Sequence, residues 1–148
     1  MVNDVRKLID SILQLSKEER IELGKKALSE FKEGLKGANV PKEKFNGVIL
    51  AFTKYFVSID RKCSLGEYEM FTAITGMNLS KERFYRETNG GADPDFRETC
   101  FYFACVLEEN EKEALVTFGV IIVTSDGNIT EEEYTELEKL LPCLSINI

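Results

Sequence analysis

Two stretches of the sequence, 66 residues apart, carry the same chemistry: "FTKYFVSIDRKCSLGEYEMF", which starts at Phe52, and "FGVIIVTSDGNITEEEYTEL", which starts at Phe118. Phe52 aligns with Phe118, Val57 with Val123, Asp60 with Asp126, Ser64 with Thr130, Glu67 with Glu133 and Tyr68 with Tyr134. In each copy an apolar segment runs into an Asp-containing turn. A Ser or Thr follows, with a Glu three positions later, which is the capping-box signature of a new helix. A duplicated helix, turn and helix predicts a pseudo-twofold pair of helical hairpins. Each hairpin must bury its apolar face against another helix, so the expected class is all-α.

The rest of the chain follows the same pattern. Val5, Leu8, Ile9, Ile12 and Leu13 are spaced three and four apart, as on one face of a first helix. "SKEE" from Ser16 to Glu19 is a capping box that opens a second helix running to about Gly37. Pro41 is placed to start a third, with Val48, Phe52, Tyr55, Phe56 and Ile59 on its apolar face. A fourth is expected from about Leu65 to Gly76, and Ser80 caps a short fifth. After the loop "TNGGADPD", "DFRE" caps "TCFYFACVL", whose apolar density predicts the central buried helix. Asn110 is expected to cap the helix containing Ala114, Leu115, Phe118, Ile121 and Ile122. Thr130 then caps the last, which Pro142 ends. The sum is a compact bundle of about seven or eight helices. We read residues 1–148 as one domain, with residues 1–40 as an N-terminal helical extension packed on the hairpins.

Several function classes are disfavoured. A net charge of −7 repels nucleic-acid phosphate. The basic positions Arg6, Lys7, Lys25, Lys26, Lys32 and Lys36 alternate with acids, as on a solvated helix face. The longest apolar run, Ala114 to Thr124, is short of the roughly 20 residues of a membrane span. Cys63, Cys100, Cys105 and Cys143 show neither CxxC spacing nor a disulfide framework, so reduced thiols in a cytoplasmic protein are expected. The chain has no His, which removes Ser-His and Cys-His catalysis. No catalytic residue is assigned.

"TSDGNITEEEY", from Thr124, has the sound of a calcium loop. With Gly127 as sixth residue and Glu133 as twelfth, however, Ile122 and Thr124 fall where the first and third ligands belong. In the upstream copy Phe56 is first and Arg61 replaces the turn glycine. The EF-hand reading fails twice. Two readings of the acidic turns stand. Either the residues only shape turns and cap helices, or the turns share a metal.

An apolar helix ending in "SDGNITEEE", duplicated upstream as "SIDRKCSLGE", resembles the TerB-like family of tellurite-resistance and stress-response domains, over roughly residues 41 to 141. The resemblance implies an all-helical fold built from paired hairpins, with a metal held by acidic residues of the two turns. Carried over, those positions are Asp60, Glu67, Asp126 and Glu133. Arg61 and Lys62 stand where the family usually has glycine. Without His and with unpatterned Cys, a bound cation would be hard and oxygen-ligated: calcium, magnesium or manganese in preference to zinc. The expected function is a TerB-like sensing or scaffolding module that contacts another protein. A metal-free interaction domain is the alternative, and a metal-dependent hydrolase comes third.

Overall fold

In a computed structural model, which describes residues 2–60, 64–88, 107–125, 129–135 and 137, the chain is all-α. Among these residues six α-helices carry the architecture: α1 (Val2–Leu13), α2 (Lys17–Gly37), α3 (Phe45–Asp60), α4 (Leu65–Thr75), α5 (Lys81–Thr88) and α6 (Glu109–Val123). Residues 131–135 are also helical.

Local chemistry sets most of these boundaries. Ser16 Oγ accepts from Glu19 N at 3.1 Å, and Ser16 N donates to Glu19 Oε1 at 2.9 Å, so α2 starts on a complete capping box. Its end is a Schellman turn: Val40 N donates to Leu35 O at 3.0 Å and Asn39 N to Lys36 O at 3.1 Å, while Asn39 takes φ 64°. Asn, with its short polar side chain, tolerates that left-handed geometry better than most residues. Gly76, at φ 68°, ends α4 in the same region. Ser80 Oγ accepts from Arg83 N at 3.2 Å at the start of α5.

Two starts differ from the sequence expectation. Pro41 does not sit in the first turn of α3; it precedes a single 3₁₀ turn, Lys42–Lys44, closed by Lys44 N to Pro41 O at 2.9 Å, and α3 begins after it. Asn110 is not a cap. The cap is Glu108, whose N–H donates to Glu111 Oε1 at 2.8 Å, and Asn110 is the second residue of α6. Leu107 is buried beside it, and that anchor fixes where the chain turns into the helix.

α6 is central among the described helices. It packs against α1, α2, α3 and α4, and Ala114, Leu115, Val116, Phe118 and Val120 to Val123 are all buried. The segment expected to be the central helix, residues 99–106 of "TCFYFACVL", lies outside the described residues, as do the "TNGGADPD" loop from Asn89 onward and Pro142. α1 contributes Ile9 and Ile12, both fully buried, and α3 contributes Phe52, Phe56 and Val57. Close approach depends on glycine. An added Cβ at Gly119 of α6 would strike the ring of Phe56, and one at Gly24 of α2 would strike Ile74 of α4. No described helix is long and apolar enough to cross a membrane.

Candidate metal centre

The described parts of the two repeats match closely at their second helices. Ser64 Oγ accepts from Glu67 N at 3.1 Å, and Ser64 N donates to Glu67 Oε1 at 2.8 Å. Thr130 Oγ1 accepts from Glu133 N at 3.1 Å, and Thr130 N donates to Glu133 Oε1 at 3.2 Å. Both predicted capping boxes therefore form, each using one carboxylate oxygen of its Glu. The preceding helices match as well: Phe52 and Phe118 are each 2% exposed, and Val57 and Val123 are both buried. Tyr68 and Tyr134 each spend the phenol on the next packed element. Tyr68 donates to Leu79 O at 2.7 Å, and Tyr134 to Asp10 Oδ1 at 2.6 Å.

The copies differ in depth. Glu67 is 1% exposed, whereas Glu133 is half-buried. Helix α4 is covered by α2, α5 and α6, while residues 131–134 take α1 as a neighbour through Arg6 and Asp10. Arg6 donates to Glu131 from Nη1 at 3.4 Å and Nη2 at 3.2 Å, and its guanidinium lies 4.7 Å from the centre of the Tyr134 ring. The Asp10 hydrogen bond, with smaller contributions from burial and nearby charge, raises the Tyr134 pKa above its ordinary value.

The start of α4 approaches the end of α6. A Cβ on Gly66, in the first turn of α4, would sit 3.3 Å from Ser125 Oγ, just past the end of α6. Arg20 of α2 tightens this end. Its Nη1 donates to Thr124 O at 3.0 Å and its Nε to Leu15 O at 3.2 Å. A guanidinium there also complements the negative pole of α6. Lys17 Nζ lies 3.9 Å from Glu69 Oε2, a second tie between α2 and α4.

Of the four residues implied as ligands, Glu67 and Glu133 are in place as caps. Asp60 is the last residue of α3, its side chain lying outside the described part, and Asp126 lies outside the described residues altogether. Among the described residues no group of three or more His, Cys, Asp or Glu side chains is placed to hold a metal ion. Arg20 was missed in the sequence because its partner is 104 positions away and no local pattern marks it. The chain matches no family model, no curated protein and no solved structure in the comparisons made.

Proposed function

We propose that this chain is a TerB-like cytoplasmic module that acts by contacting another protein, with the paired acidic turns as a seat for calcium, magnesium or manganese. The observation that carries this reading is the approach of Gly66 to Ser125, since a shared site requires both turns at the same end of the molecule. Hard-cation chemistry suits the donors: carboxylates are present and imidazole is absent from the chain. Asp60 and Asp126 would supply the ligands from the turns. Glu67 and Glu133 cap the helices that follow those turns, one carboxylate oxygen of each accepting from the capping residue's amide.

A second reading rests on the capping boxes themselves. Both close with protein groups alone, which suits a metal-free interaction domain whose acidic turns do no more than start helices. Isothermal titration of the intact protein with each of the three cations separates the two. The metal reading expects saturable heat that Asp126→Asn combined with Glu133→Gln removes. Absence of heat at millimolar metal leaves the metal-free reading.

A further inference from the structure

A pocket of about 250 Å³ lies between the start of α3 and the connection from α4 to α5. It is lined by Asn46, Gly47 and Leu50 on one face of α3, by Met77, Asn78 and Leu79 of the connection, and by Arg83 of α5. We propose that this pocket binds a small carboxylate carrying a short aliphatic body.

The walls combine the two chemistries such a ligand needs. Leu79 is buried, and Leu50 and Met77 are half-buried, so they offer apolar surface without a large exposed patch. The polar side is supplied by Asn46, Asn78 and Arg83, whose side chains are exposed and make no hydrogen bond or ion pair among the described residues. A guanidinium donates two parallel hydrogen bonds to a carboxylate, and carboxamides add neutral donors beside it. One guanidinium with no second cation in the lining matches a single negative charge, which favours carboxylate over phosphate.

Charge supports the choice. The protein carries −7 overall, yet the two segments that bear the lining, residues 42–50 and 77–83, contain Lys42, Lys44, Lys81 and Arg83 against Glu43 and Glu82. The positive pole of α3 adds to that local field. Gly47 keeps the α3 wall open: a Cβ there would meet nothing within 4 Å.

The site is also held in shape before any ligand arrives. Tyr68 Oη donates to Leu79 O at 2.7 Å, Met77 N donates to Thr75 Oγ1 at 3.2 Å, and Arg83 N donates to Ser80 Oγ at 3.2 Å. The connection is thus fixed at three points, which reduces the ordering cost of binding. A volume just below the usual range of ligand pockets, roughly 300 to 1,000 Å³, limits the guest to a few heavy atoms or to the last residue of a peptide.

The test is amide-resolved NMR of the full chain titrated with isocaproate, with isocaproamide, and with acetyl-Ala-Leu bearing a free carboxylate. Isocaproate is expected to shift the amides of Gly47, Asn78 and Arg83 saturably, while the uncharged amide leaves them in place. Arg83→Gln should weaken binding about tenfold or more, as expected for loss of a charged hydrogen-bonding partner. Since Arg83 is exposed, the variant spectrum should otherwise match the parent, and Asn78→Ala should give a smaller loss. Tighter binding of the peptide assigns the guest as a chain terminus, and equal binding assigns a free acid. Equal response to isocaproamide, shifts elsewhere in the molecule, unchanged affinity in Arg83→Gln, or no saturable shift with either carboxylate would overturn the proposal.

Discussion

Gly119 has only hydrogen where the ring of Phe56 lies across α6. Replacing it with Ala gains about 1 kcal/mol of helix propensity, but the methyl group must displace a fully buried ring, and such overpacking costs about 1–3 kcal/mol. Gly119→Ala is therefore expected to lower the denaturant midpoint. Gly37→Ala, where the added Cβ meets nothing within 4 Å, should raise stability by about 0.4–1 kcal/mol. Tyr134 gives a prediction in pH. Its folded pKa is raised, chiefly by the hydrogen bond to Asp10, so its contribution is complete below the ordinary tyrosine value and is lost as pH rises through the folded value. The stability advantage of the parent over Tyr134→Phe should shrink at alkaline pH, and ultraviolet titration should show the Tyr134 transition falling toward the ordinary value in Asp10→Asn. Glu19 behaves oppositely. Its pKa is lowered by the backbone and side-chain hydrogen bonds of Ser16, so its contribution is present above the ordinary carboxylate value and fades in acid.

At the scale of elements, the caps are where local sequence and structure agree most closely. Ser16, Ser64, Ser80 and Thr130 were legible because a capping residue acts on amides only three positions away. Glu108 was not, since Glu108 and Asn110 both precede the same apolar face and the choice between them depends on burial of Leu107. Helix order and apolar faces were legible from spacing. The meeting of Gly66 with Ser125 and the reach of Arg20 to Thr124 were not, because each joins segments far apart in the chain. The acidic positions could be listed in advance, but their relation in space could not. Ser64→Ala should cost about 1 kcal/mol in chemical unfolding, and Glu133→Gln should cost little because Gln keeps the acceptor oxygen of the box.

For the molecule as a whole, the proposed cation site makes stability a function of metal concentration. A ligand that binds only the folded state adds about 2.7 kcal/mol at a hundredfold excess over its dissociation constant. A thermal melt should then move upward with added manganese or calcium, and the shift should vanish in the protein carrying both Asp126→Asn and Glu133→Gln. Sodium chloride at matched ionic strength is the control, since general screening of a −7 protein also favours compaction.

The glycine contacts also bear on how the bundle can deform. Phe56 sits in a notch at Gly119 whose neighbours along α6, Phe118 and Val120, both carry buried side chains, and Ile74 fills a similar notch at Gly24. Each contact acts as a detent: sliding α3 along α6, or α4 along α2, would bring the seated side chain against a position that carries a Cβ. The two notches thus oppose shear of α3 along α6 and of α4 along α2, and leave rotation about the contact as the less hindered motion.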